Sequence, residues 1–374
     1  MGAQVDAVVV GCGIVGAACA YELTLAGLRV TVCEQNDHVG GGATAAGMGH
    51  LAVMDDSDAQ FALTSYSQQL WQQLASELPR KCEYLDCGSL WIAADDLEYR
   101  EVQRKFDFYS NHKLPVEVLD TKQVAEAEPN LRPGLAGALL LPSDAVCYPP
   151  AVARFLAYKV AAAGGRILLN KTVVSLQDDQ VRFADGSALG SDLVVLATGA
   201  SIHRLVPEIE MRPRKGHLLI TDRYPGFVRR QLIELGYLKS AHATNTDSVA
   251  FNAQPRMTGQ ILIGSSRQYG VETPEVDNAI LQIMLQKAIQ YMPGLENLAA
   301  LRTWTGFRAA TPDKLPLIGK LPGNEHVFLA TGHEGLGIST SLATGRLLTD
   351  EILGRESAIS RLPYQPARNF ALHA

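Results

Sequence analysis

The chain has 374 residues, ample for a large core and for two domains. Its hydrophobic content of 47% and charged content of 19% are ordinary for a globular protein. The net charge of −6, with no basic run, argues against a nucleic-acid partner, and no apolar stretch reaches the length of a membrane span.

The N-terminal stretch carries the strongest pattern. Val8, Val9 and Val10 are a short β-branched apolar run, as expected of a buried parallel strand. Gly11-x-Gly13-x-x-Gly16 follows, then Ala17, Ala18, Ala20, Leu23 and Leu25 at helical spacing, with Gly27 where a helix would stop. A second strand, Arg29 to Cys33, ends in Glu34. Gly11 permits the tight turn, Gly13 lets backbone approach a pyrophosphate, and Gly16 lets helix pack on strand. The helix N-terminus offers N–H groups to phosphate, and Glu34 can accept from ribose hydroxyls. The strand–turn–helix–strand context, with an acid at this distance, points to a dinucleotide site. Ile14, Val15 and Gln35 complete its expected contacts. No positively charged segment precedes the run, so no secretory signal is read and the cytoplasm is the expected compartment.

Residues 36–50 are too glycine-rich for an ordinary helix start. They are either a loop that crowds a second part of the cofactor, through Gly42, Ala43, Thr44, Gly47 and Met48, or a flexible surface loop. The spacing predicts a helix over 58–78 with Phe61, Leu63, Tyr66, Leu70, Trp71 and Leu74 facing a core. From Pro79 the pattern changes. Residues 88–94 predict a strand, 97–111 a charged exposed helix, 120–128 a short polar helix and 139–141 a strand. Tyr148-Pro-Pro opens a helix that ends at Gly164-Gly165. Strands are expected at 166–169, 172–176, 181–183 and 193–197, with Asp185-Gly186 as a hairpin turn and Thr198-Gly199 closing the last. Residues 215–220, 248–251 and 260–264 predict further strands, and 277–291 an amphipathic helix. Val327 to Ile338 predicts a strand, a glycine turn and a helix running to Leu353.

The fold class expected is mixed α/β, with a Rossmann-like nucleotide-binding domain interleaved with a substrate domain on a largely antiparallel sheet. The nucleotide domain takes 1–78, 145–205 and 310–374; the substrate domain takes 79–144 and 206–309. The six cysteines, at 12, 19, 33, 82, 87 and 147, show no CxxC and are expected to be reduced thiols, with no metal site.

The chain resembles the D-amino acid oxidase family of FAD-dependent amine oxidoreductases across nearly its full length. Leu196-Ala-Thr-Gly-Ala, Arg214-Lys-Gly-His, Gly306-Phe-Arg-Ala-Ala-Thr-Pro-Asp-Lys-Leu-Pro and Thr331-Gly-His-Glu-Gly-Leu-Gly-Ile carry the resemblance, in the family's order. It is similar to glycine oxidase and D-amino acid dehydrogenases. The Gly-His-Glu-Gly-Leu-Gly stretch is similar to the flavin subunits of opine oxidases, D-hydroxyproline dehydrogenase and hydrogen cyanide synthase. The resemblance implies non-covalent FAD and hydride removal from an amine-bearing carbon to flavin N5, without an obligatory base. Three separated glycine-rich stretches could converge on so extended a ligand, and Gly332, His333, Glu334, Gly335, Leu336, Gly337 and Ile338 would meet it at the opening of the last helix. Val174, by analogy, would bind adenine through its backbone.

Arg308, beside Gly306, matches the residue that holds the substrate carboxylate, although Ala309 stands where the family often has proline. Met48 matches an active-site methionine. His50 either titrates near neutrality or makes a plain polar contact. Tyr269 either closes the substrate pocket or is an ordinary surface or core tyrosine, and His217 is a candidate pocket residue. The expected substrate is a small amino acid with a carboxylate. The electron acceptor is a partner subunit with iron–sulfur or flavin groups, with peripheral attachment to the inner membrane kept open, or else oxygen; an RNA-modifying flavoprotein is the remaining alternative.

Overall fold

The computed structural model describes residues 7–177, 180–236 and 247–370. Asp6 and the last four residues of the expected C-terminal segment lie outside these. A six-stranded sheet runs in the order Leu317–Lys320, Val327–Thr331, Leu193–Leu196, Ala7–Val10, Val30–Cys33, Arg166–Leu168. Every neighbouring pair is parallel except the Leu317–Lys320 edge. The valines of Ala7–Val10 are buried on both faces, which is why the strand reads as a continuous apolar run. The first helix, Ile14–Leu25, packs against the last long helix, Gly337–Ile352. A Cβ on Gly345 would stand 2.7 Å from the Ala18 carbonyl oxygen, so only glycine lets these helices approach so closely. A three-stranded antiparallel sheet, Val173–Gln177, Gln180–Phe183 and Ala188–Gly190, flanks this layer; its second hairpin turns at Gly186, at φ +82°.

The second layer is a nine-stranded sheet ordered His333–Glu334, Ala300–Ala310, Arg212–Thr221, Ile261–Arg267, Ser248–Pro255, Gln231–Glu234, Ser89–Ala93, Gly137–Leu141, Glu117–Leu119. It is antiparallel but for the parallel pair Gln231–Glu234 and Ser89–Ala93. The first half of the chain thus supplies three strands at one end and the second half the rest. One face is apolar: Leu90, Ile92, Leu232, Phe251 and Ile263 pack with Met284, Ala288 and Tyr291 of helix Asn278–Tyr291. Burying each large side chain there contributes ~1.5–3 kcal/mol. Strand alternation sends Trp91, Gln231, Ile233, Asn252, Gly216, Leu218, Gly306 and Arg308 to the opposite side, where a cavity lies.

Some expectations need correcting. The glycine-rich stretch contains a four-residue helix, Ala43–Ala46, and a two-residue strand, His50–Leu51. The helix Asp96–Asn111 is not wholly exposed. Lys105 is fully buried, its ammonium paired with the equally buried Asp55 carboxylate, so a charge pattern that reads as solvated is half turned inward. Gln231–Glu234 was not expected as a strand. All six cysteines are free and buried, and burial pushes the Cys82 thiol up to about 11.

Candidate active site

A cavity of about 590 Å³ lies between the two layers. Gly11, at φ +98°, makes its tight turn where a Cβ would stand 2.6 Å from the Ala197 oxygen. A Cβ on Gly16 would stand 2.1 Å from the Gly11 oxygen, so backbone meets backbone without a side chain between. Gly13 precedes the first helix, and no side chain of its own caps it; the Ile14 N–H donates instead to Thr44 Oγ1 at 2.9 Å. That bond ties the second glycine loop to the first. Glu34 is buried and accepts from the Cys12 N–H at 2.8 Å and from Asn36 Nδ2 at 2.7 Å. Its carboxylate is therefore fixed before any ribose arrives, with lone pairs to spare.

Ile14, Val15, Gln35, Gly42, Ala43, Thr44, Gly47, Met48, Val174, Thr198, Gly199, Gly306, Gly332, Gly335, Leu336, Gly337 and Ile338 line the same cavity. Thr198 Oγ1 is buried there without a partner. The helix Gly337–Ile352 enters the cavity uncapped by any side chain, its partial positive charge directed into it. Glycine cradles, two helix N-termini and an orphaned hydroxyl are what a dinucleotide with a long ring system would need. The cavity beside this helix start is crowded: Cβ atoms on Gly47 and Gly306 would stand 2.7 Å from Ile338 Cδ1 and 2.2 Å from Ala46 Cβ.

At the far end three arginines surround one acid. Arg308 Nη1 donates to the Ser266 carbonyl at 2.9 Å, and its guanidinium lies over Gly216. Arg214 Nη1 and Arg267 Nε reach Glu334 Oε1 at 3.3 and 3.4 Å, while Glu334 Oε2 accepts from the Gly335 N–H at 2.6 Å. Burial by itself would raise the Glu334 carboxyl; the charges of Arg267, Arg308 and Arg214 hold it down at about 2. Three cations against one anion leave this end of the cavity positive, a setting for an anionic group.

The three histidines that line the cavity, His50, His217 and His333, are held toward the neutral form. Asp277 N–H donates to His217 Nε2 at 3.0 Å, so Nδ1 carries the proton and donates to Ser266 Oγ at 2.8 Å. Burial first, then the Lys215 charge, lowers its pKa. Burial lowers His50 to about 4, which corrects the expectation of titration near neutrality. The His333 ring turns away into the helix, against Thr344 Oγ1 at 3.0 Å, and burial lowers it to about 3. Its place beside the cavity is thus made by backbone.

A family model described as FAD dependent oxidoreductase matches residues 6–351. The chain belongs to this family. It is 30% identical to a glycine oxidase of Pseudomonas aeruginosa, over 96% of this chain and 98% of the relative. The hydrogen cyanide synthase subunit HcnC of the same organism is 27% identical, over 97% and 96%. The crystal structure of glycine oxidase from Geobacillus kaustophilus superposes with a TM-score of 0.86 at 26% identity, covering 97% of this chain and 98% of that one. The protein is thus an FAD-dependent oxidoreductase, with the mixed α/β fold expected.

Among the expected site residues Tyr269 is the exception: it does not line the cavity. Its ring lies under the Arg214 guanidinium, 4.9 Å from centroid to carbon, so it braces the arginine cluster from behind. Arg214, Arg267, Gln231, Asn252 and Trp91 line the cavity and were not singled out as site residues. Period-two alternation from Arg308 through Gly306, matched across the register to Arg214 and Gly216, was the available signal for Arg214. Nothing local marked Gln231 or Asn252, whose positions depend on long-range pairing.

Proposed function

We propose that this flavoprotein dehydrogenates a small D-amino acid or secondary amino acid, as the flavin subunit of an enzyme that passes electrons to a partner. FAD, when bound, supplies the hydride acceptor. The observation that carries the reading is the arginine cluster on the cavity face of the nine-stranded sheet. There the Arg308 fork would take the substrate carboxylate through paired charge-assisted hydrogen bonds and fix the adjacent carbon. Arg214 and Arg267, with Glu334 between them, would keep that fork in a positive field. None of the three cavity histidines is placed as an effective general base: His217 has both ring nitrogens engaged, His333 faces the core, and burial lowers His50 to about 4, which leaves it only weakly basic. The substrate amine would therefore enter neutral, having lost its proton to solvent.

HcnC is by name a subunit of a larger enzyme, which supports a partner as electron acceptor. Oxygen as acceptor is the second reading, favoured by the glycine oxidases among the relatives. The net charge of −6 weighs against an RNA-modifying role. Among the described residues no helix is long and apolar enough to cross a membrane. Anaerobic bleaching of the flavin by D-amino acids, D-hydroxyproline, sarcosine, glycine and opines tests the substrate class. No bleaching by any of them would overturn it. Peroxide formed in air at the rate of turnover would replace the dehydrogenase by the oxidase.

A further inference from the structure

Away from the arginines, the cavity has a polar wall that no charge explains. Gln231 is fully buried, yet neither Nε2 nor Oε1 has a partner. Trp91, 1% exposed, has an unpartnered Nε1–H. His50 Nε2 and Gln60 Oε1 are likewise buried and unmatched. All four side chains line the cavity, as does the Asn252 carboxamide. The sheet register explains the grouping. Gln231 pairs with Ser89, and Ile233 pairs with both Trp91 and Asn252. Gln231, Trp91 and Asn252 therefore surround Ile233 on the same face.

Buried polar groups are almost always hydrogen-bonded, because each unmatched one costs ~1–3 kcal/mol. Five unmatched atoms in one cavity, three of them on Gln231 and Trp91 of one sheet face, indicate a site organised for an occupant. The occupant's chemistry follows from the atoms. The indole N–H only donates, the glutamine amide both donates and accepts, and His50 is held neutral by burial. None of these side chains is itself charged; the Lys105 ammonium, 4.9 Å from the Trp91 ring centre, is already paired with Asp55, and Asp56 lines the cavity as an exposed acid, so the set itself favours an uncharged substituent. A hydroxyl or carboxamide, which donates and accepts at once, satisfies both kinds of atom.

We propose that Gln231, Trp91, Asn252 and His50 form a subsite for an uncharged hydrogen-bonding group on the substrate, so that the enzyme selects hydroxylated or amide-bearing amino acids over their apolar counterparts. This rests on the amino-acid reading above. A site built to hydrogen-bond a substrate group rejects the analogue that lacks it, since the buried partners are then left bare.

The test compares matched pairs by anaerobic flavin reduction in the holoenzyme: D-serine with D-alanine, 4-hydroxy-D-proline with D-proline, D-asparagine with D-leucine. The expected result is a preference of tenfold or more, in second-order reduction rate, for the polar member of at least one pair. Gln231→Leu should cut that ratio at least tenfold. Trp91→Phe, which keeps the ring and removes the N–H, should lower it independently if Gln231→Leu folds poorly. Equal rates within every pair, or a ratio unmoved by Trp91→Phe, would overturn the subsite and mark the wall as a place for ordered water only. Reduction by neither member of any pair would overturn the subsite, and failure of glycine, sarcosine and opines as well would overturn the amino-acid reading itself.

Discussion

Gly216→Ala would displace Arg308, the proposed carboxylate anchor, without touching its charge. A Cβ at Gly216 would stand 2.6 Å from Arg308 Nη1, 2.9 Å from Nη2 and 3.0 Å from Cζ. Gly216 has no positive φ, so alanine brings no backbone strain. The guanidinium must retreat by about 0.8 Å to reach ordinary contact at 3.4 Å. Its 2.9 Å bond to the Ser266 carbonyl would then stretch or turn, and the fork would leave the orientation that takes a carboxylate. Losing one charge-assisted hydrogen bond costs ~1.5–3 kcal/mol, so KM should rise about 10- to 150-fold. The assay is steady-state kinetics on an amino acid and on the amine that lacks its carboxyl group, with flavin content and Tm as controls. The expected signature is a raised KM for the amino acid alone. A KM within twofold of wild type, or an equal loss on the carboxyl-free amine, would refute Arg308 as anchor.

Gly16→Ala should yield protein that loses FAD on purification, because its Cβ would lie 2.1 Å from the Gly11 oxygen; flavin absorbance per chain reads it, and full occupancy would contradict the backbone-on-backbone turn. Asp55→Asn should cost ~3–5 kcal/mol in urea unfolding, since it strands the buried Lys105 ammonium, and Lys105→Met in the same chain should recover part of the loss. The pH dependence of kcat/KM should follow the substrate. Burial lowers His50 to about 4 and His333 to about 3, and lowers His217 as well, so no cavity histidine is expected to set this dependence. The rate should rise tenfold per unit until the amine's own pKa, and move with that pKa between substrates. An acid limb fixed near 6.5 for all substrates would point instead to an enzyme base.

The N-terminal half of the cofactor site was legible because its determinants are local. A tight turn, a helix start and an acid at a strand end lie within residues 8–34, and each residue type is forced by contacts a few positions away. The starts of helices Asp58–Ala75 and Asn278–Tyr291 have the same local origin, each set by a capping side chain, Ser57 or Asp277, whereas the former helix ends at Ala75, short of the expected residue 78. The polar wall of the cavity was not legible. Gln231 lies beside Ser89, and Asn252 across from Gly264, only after strands from distant parts of the chain have paired. A short amphipathic strand announces neither its neighbours nor its face. His50 shows the same limit for electrostatics, because a side chain's burial is a property of the assembled cavity.

The segment from Val327 to Gly337 does several jobs in quick succession. Val327–Thr331 is a strand of the parallel sheet; two residues on, His333–Glu334 pairs with Ala309 and Ala310 in the other sheet; Gly337 then starts the long helix. Glu334, the acid amid the arginines, is thus three residues from a helix terminus that faces the cofactor cavity. On the proposed reading, the carboxylate end and the cofactor end of the cavity would be gauged by one short run of covalent bonds, not by the fit of two layers. Breathing between the sheets would leave that spacing nearly constant. One residue inserted between Gly332 and Gly337 would spoil it, whereas the same insertion after Gly354 would pass unnoticed by the chemistry.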